Sequence, residues 1–188
     1  VNSGTADISF DAAVGAATRV GVLNIVNAGN VAFDSTVTAA SYTQAAGSGV
    51  TTFADLLDLT GAFDFTGTAL TIKGVGTNTI GGAMDITNSG AFLLDETTAD
   101  ADLEVAGSLT QDGAGSVTFE SNITLTASGA MSIASGVTLA GADGITLTTD
   151  GASGDDITIG TDANTDLEGN GIDLTLNVGN AGDILVRG

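Results

Sequence analysis

Seven carboxylates crowd the stretch DGASGDDITIGTDANTDLEGNGID, residues 150–173, with Gly and Asn set between them. A hydrolase would need two of them facing each other across a cleft. Asp155, Asp156, Asp162 and Asp166 are the densest group, yet Asp155 and Asp156 are neighbours, and neighbours on a strand point to opposite faces. Corner carboxylates in solvent are the plainer reading. The chain has no His and no Cys, so the usual general base and thiol nucleophile are missing. A lyase acting on acidic sugars wants a cation at the reacting centre, and Arg19, Lys73 and Arg187 are dispersed. The expectation is a protein that is not an enzyme.

Calcium suits these residues better, because hard cations take Asp oxygens and turn carbonyls as ligands. The candidates are Asp155, Asp156, Asp162, Asp166 and Asp173. GNGIDLTL, which begins in the same stretch, is similar to the calcium-binding nonapeptide G-G-x-G-x-D-x-U-x. Thr175 stands where that pattern has a large apolar residue, and no tandem copy follows. No other cofactor is expected. Outward Thr pairs raise a different possibility: Thr124 and Thr126 flank Leu125, and Thr146 and Thr148 flank Leu147, 22 residues later. A Thr-x-Thr ladder is one way to present a flat ice-binding face. Here it would be two steps long, between Asp102 with Glu104 and Glu168 with Asn170, and Thr favours strands in any case.

The elements that must carry these residues are short. Apolar residues alternate with small polar ones in bursts such as SVTFES, NITLTASG and DDITIG, each ended by Gly, Asn or Asp. Alternation of period two reads as half-buried strands. Phe119, Leu125, Ile133, Leu139, Leu147 and Ile159 are the inward residues of the middle section, with Phe119, Leu139 and Ile159 spaced by 20. The spacing predicts an all-β parallel β-helix, a β-solenoid of about 20–22 residues per coil and roughly nine coils. A β-sandwich is the competitor, but hairpin-paired strands need no regular echo. Gly and Asn, which tolerate positive φ, fit the corners.

A longer repeat overlies the coils. LNIVNAG at Leu23 returns as MDITNSG at Met84 and as ITLTTDG at Ile145, 61 residues apart each time. TQAAGSGVTTF ending at Phe53 matches TQDGAGSVTF ending at Phe119; LDLTG at Leu57 matches ITLTA at Ile123; LTIKG at Leu70 matches VTLAG at Val137. Residues 1–188 read as one solenoid segment of repeats about 61–67 residues long, each three coils, starting near 23, 84 and 145. Leu23, Met84 and Ile145 are expected inward, with Gly29, Gly90 and Gly151 closing each turn. ETTADADLEV, residues 96–105, is expected to be a corner insertion. The last repeat would be completed by residues 1–22 of a following copy, so the chain reads as a mature or excised piece that self-associates end to end or continues covalently.

Charge narrows the partners. A net of −20 with three cations supplies no basic footprint for nucleic acid and disfavours anionic membranes. No run of 18 apolar residues predicts membrane insertion.

At VTAASYTQAAGSGVTTF, MDITNSG, SLTQDGAGSVTF and GVTLAGADGITLTTDG the chain resembles filamentous-haemagglutinin-like repeat proteins, large bacterial surface and secreted proteins. The resemblance covers most of the chain from about Ala6 onward. It implies an extracellular or cell-surface location and a structural role, as a repeat segment of a surface filament or sheath that stacks head to tail. The alternative is a spacer, or a glycan- or protein-binding segment, of a giant adhesin.

Overall fold

The computed structural model describes residues 1–74, 76–96, 102–141, 143–161 and 166–187. Every ladder among them is parallel, and no helix occurs among them. The chain winds as a β-solenoid with three faces. The first face stacks β1 (Ile8–Phe10), β3 (Val31–Phe33), β5 (Val50–Phe53), β8 (Ala69–Gly74), β11 (Phe92–Glu96), β14 (Val117–Phe119), β17 (Val137–Leu139) and β20 (Leu167–Glu168), in that order. The second face stacks β6 (Leu57–Leu59), β9 (Asn78–Ile80), β12 (Asp102–Val105), β15 (Asn122–Leu125), β18 (Ile145–Thr148) and β21 (Leu174–Asn177). The third carries β2 (Val20–Ile25), β7 (Phe63–Gly67), β10 (Met84–Asn88), β13 (Leu109–Gln111), β16 (Met131–Ile133), β19 (Ile157–Ile159) and β22 (Ile184–Val186). The long strand β4 (Val37–Gln44) serves both faces, pairing β6 with its first half and β2 and β7 with its second.

Eight described layers therefore stack on the first face, against the nine expected. Six of the turns, from β5–β7 to β20–β22, are built of three separate strands. The count falls short because some turns are long: Phe92 pairs Val117, 25 residues on, and Val137 pairs Leu167, 30 residues on.

Alternation explains the burial. Interior three-residue strands such as β14, β16, β17 and β19 bury their first and third residues and leave the middle one half-exposed. Phe119, Leu125, Ile133, Leu139, Leu147 and Ile159 are each no more than 1% exposed. One spacing among them was misplaced. Leu139 does pair Phe119, but Ile159 lies on the third face against Ile133.

Two of the echoed pairs stand three turns apart in register. Leu23, Tyr42, Phe63 and Met84 form one column of successive pairs. Phe53, Ile72, Leu94 and Phe119 form another, so the two TQ segments sit three turns apart. Ile145 does not continue the Leu23 column. It pairs Leu174 on the second face, and the column runs instead through Leu109 and Met131 to Ile157. Local similarity of strand and corner had masked a change of face. The expected insertion at 96–105 is likewise part strand: Asp102–Val105 is β12, paired with β9 and β15, and residues 97–101 lie outside the described ones.

The aromatics gather in the first three turns. Phe10, Phe33 and Phe53 stack with centroids 4.7 Å apart at each step and planes within 7°. Tyr42 stacks on Phe63 at 5.0 Å and meets Phe53 edge-on at 5.2 Å. Parallel register places like rings one strand spacing apart, which is why they form a column.

Candidate functional site

The calcium candidates are dealt out to all three corners. Asp155 and Asp156 stand between the second and third faces, Asp166 precedes β20 at the third-to-first corner, and Asp173 precedes β21 at the first-to-second. Asp162 lies outside the described residues. The Asp166 and Asp173 carbonyls accept ladder bonds from the Val137 and Ile145 amides, at 2.9 and 2.8 Å. Asp156 Oδ1 accepts from the Asp183 amide at 2.8 Å. Among the described residues no three acidic side chains converge on one point.

The Thr ladder is out of step with its expected alignment. Thr124 pairs Thr148, while the amide of Thr146 donates to Asn122 Oδ1 at 2.7 Å. The next layer supplies Thr175 and Asn177 rather than Glu168 and Asn170.

A hollow runs along the third-to-first corner. Two depressions of about 500 and 690 Å³ share Asp112, Gly113 and Ala114, making one groove across successive turns. Its walls are small residues, Gly and Ala alongside hydroxyls such as Thr66, Thr87, Ser116, Ser135 and Thr138, with Asp112, Asp166 and Glu168 as its acids. The groove exists because the corner cannot carry bulk. A Cβ on Gly113 would collide with the Asn88 backbone of the turn below, and one on Gly115 with the Gly90 carbonyl. Close approach of turns, rather than positive φ, also accounts for Gly29, where a Cβ would lie 2.6 Å from the Thr5 carbonyl; Gly151 does have φ +85°.

Behind this groove the interior is polar. Gln44 and Gln111 occupy the same inward column three turns apart, separated by Phe65 and Ile86. They are 2% and 0% exposed. Tyr42 Oη and Thr51 Oγ1 donate to Gln44 Oε1 at 2.6 and 2.8 Å. Gln111 Nε2 donates to Asn88 Oδ1 and to the Gly113 carbonyl, both at 2.7 Å, and its Oε1 accepts from the Ser135 amide at 3.2 Å. Gln111 thus satisfies backbone groups that the glycine corner leaves out of the ladder, whereas Gln44 takes the protons of two buried hydroxyls. Burial pushes the Tyr42 phenol well above its usual range, so it stays protonated as the donor to Gln44. Sequence reading recorded TQ as an echo and missed this role. The available signal was a Gln at inward parity in both copies.

The cations tie turns together. Arg19 donates to the Ala39 carbonyl at 2.9 Å and the Asp58 carbonyl at 2.7 Å, and pairs the Asp58 carboxylate at 2.7 Å, so one side chain reaches across two further turns. Lys73 pairs Asp95, its register partner, at 3.2 Å. Arg187 donates to the Thr161 carbonyl at 3.0 Å. In a chain of net charge −20, cations placed between layers offset repulsion where it would otherwise part them.

The end layers differ from the interior. Ile184, Leu185 and Val186 of β22 are 46%, 41% and 41% exposed, and Val22 of β2 is 66% exposed. Comparison with protein-family models, curated proteins and solved structures found no match to this chain.

Proposed function

We propose that this chain is a non-catalytic structural segment of an extracellular bacterial surface filament or sheath, of the filamentous-haemagglutinin-like kind, joined end to end. The observation that carries the reading is the state of the two end layers. Interior columns are sealed by the turn above and below, whereas Ile184 and Val186 of β22 are 46% and 41% exposed, and at the other end Val1–Ser3 bond only the Asn24–Asn27 part of that layer and leave Val22 66% exposed. A second copy, or a continuing chain, laid on β22 would cover Ile184 and Val186 with its own first turn. Such a contact is heterologous and does not close on itself, so it propagates as a filament. It also covers the open strand edges that otherwise invite indiscriminate pairing.

Sedimentation over a range of concentrations, with electron microscopy of the same samples, tests this. The expected result is concentration-dependent rods and fibres that Ile184→Asp with Val186→Asp abolishes, since both residues are exposed and the fold does not depend on them. A parent protein that stays monomeric throughout, with no fibres, refutes non-covalent joining.

The groove at the third-to-first corner favours a second reading, a glycan- or protein-binding segment of an adhesin. Its hydroxyls and carboxylates offer donors and acceptors along several turns. A glycan array separates the two readings: binding by unassociated protein, lost when Ser135 and Thr138 are replaced by bulkier residues, supports the second.

A further inference from the structure

Where first-face strands end, the chain fastens itself to the turn below by one backbone amide. Asp34 donates to the Phe10 carbonyl at 3.0 Å, and Ala54, Glu120 and Ala140 donate to the Phe33, Leu94 and Phe119 carbonyls, each at 2.9 Å. The last strand of the stack, β20, breaks the series. There the Leu139 carbonyl accepts from the side chain of Asn170, with Nδ2 at 3.1 Å. A carboxamide stands in for the ladder amide.

The backbone leaves the ladder because it turns left-handed at this corner. Asn170 has φ +47°, the one positive φ outside glycine among the described residues, and Gly171 follows at φ +81°. The Ile172 amide donates to the Gly169 carbonyl at 2.7 Å, closing a four-residue turn over the two. Positive φ at both central positions is the type I′ pattern, which favours Asn followed by Gly. Both residues are exposed, and the Gly171 amide donates to no backbone carbonyl among the described residues. Asn170–Gly171 is also the one Asn-Gly step in the sequence.

We propose that Asn170 is a site of spontaneous covalent modification, through which the first-to-second corner of the eighth turn loses its fastening as the protein ages. The Gly171 nitrogen gives up its proton and attacks Asn170 Cγ. Nδ2 leaves as ammonia, and a five-membered succinimide ring closes. Water then opens the ring at either carbonyl, leaving aspartate or isoaspartate, so one water is consumed for each ammonia released. Glycine brings no side chain into the path of the attack, and the exposed corner lets water reach the ring. The bond to Leu139 opens for Nδ2 to leave and is not remade, because an ionised carboxylate offers that carbonyl no donor. The new charge joins Glu168 and Asp173 in a segment, residues 166–173, that holds no Lys or Arg. Isoaspartate also routes the main chain through the former side chain and lengthens the turn. The chemistry is independent of the filament reading; where that reading holds, the loosened turn is the one a second copy covers.

Peptide mapping of the full chain, aged in mildly alkaline buffer, tests it, with a free peptide of residues 167–173 as the clock. At residue 170 both isoaspartate and aspartate are expected, while buried Asn88 keeps its amide. Hydrogen exchange on the aged protein should show lower protection at Ile145, whose amide bonds the Asp173 carbonyl just past the turn. The expected fall is about fivefold, the effect of one neutral hydrogen bond. The Met84 amide, bonded to the Ser108 carbonyl, should show no change. Asn170→Asp should show the same fall at Ile145 without ageing. Asn170 still intact once the free peptide has converted completely overturns the proposal. Aspartate without isoaspartate overturns the succinimide route, and Ile145 protection unchanged in both the aged protein and Asn170→Asp overturns the loss of the fastening.

Discussion

Gln111→Leu tests whether the buried amide fixes the third-to-first corner or only fills it. The substitution keeps the volume and removes the polarity. Gln111 is fully buried between Ile86 and Ile133 in its column, so Leu meets apolar neighbours above and below. Four hydrogen bonds disappear, the weakest of them to Ser135 Oγ at 3.4 Å. The Gly113 carbonyl keeps the Ser135 hydroxyl at 2.9 Å, but Asn88 Oδ1 loses the Gln111 donor and the Ser135 amide loses its acceptor. Each interior orphan costs about 1–3 kcal/mol, and burying Leu in place of the amide returns about 1–2 kcal/mol. The net loss centres on about 2.5 kcal/mol, within outer bounds of about 0 and about 5. Denaturant unfolding followed by circular dichroism reads it as a lower midpoint at unchanged slope. Hydrogen exchange should place the loss in the turns around β10, β13 and β16, because a solenoid's stability is a sum over neighbouring layers. A variant as stable as its parent refutes the claim that the corner depends on the amide.

Gly113→Ala should destabilise by about 3 kcal/mol or more, since neither the Asn88 backbone nor the added methyl can give way. Gly21→Ala, whose Cβ meets nothing within 4 Å, should be neutral or mildly stabilising by thermal melting. Ser121→Ala should raise the melting midpoint slightly, because the Ser121 hydroxyl is buried with no partner among the described residues. Arg19→Met should cost about 1 kcal/mol, more at low salt than at high, as a half-exposed pair with two carbonyl bonds. Melting curves in calcium and in chelator test the candidates Asp155, Asp156, Asp162, Asp166 and Asp173: a midpoint raised by calcium supports a site, and coincident curves remove it. End-to-end association should strengthen as salt rises, since screening weakens repulsion between two chains of net charge −20.

The parallel solenoid and its inward residues were legible because period-two alternation is a direct record of which side chains face the core. The three-turn echo was legible for Leu23 and Met84, whose separation is the sum of three ordinary turns. It misled at Ile145 because faces two and three use the same strand vocabulary, and the 25- and 26-residue steps from Met84 to Leu109 and from Met131 to Ile157 shift the phase without leaving a local mark. Gln44 and Gln111 were hidden for a different reason. An inward amide looks like a turn residue until the corner groups that it satisfies are known. Asp155 was singled out as a calcium candidate; its actual partners are the Gly129 and Ala152 amides.

The ring column of Phe10, Phe33 and Phe53, with Tyr42 and Phe63 against it and Arg19 strapped over the same turns, gives the rod a mechanical direction. Later turns have longer connections and glycine-rich corners, and their core is aliphatic apart from Phe92 and Phe119. Pulled lengthwise, such a rod peels first from its carboxyl-terminal turns and yields last at the aromatic end. In a filament of many such rods under tension, each segment would shed turns in a fixed order, lengthening stepwise while its aromatic end still holds.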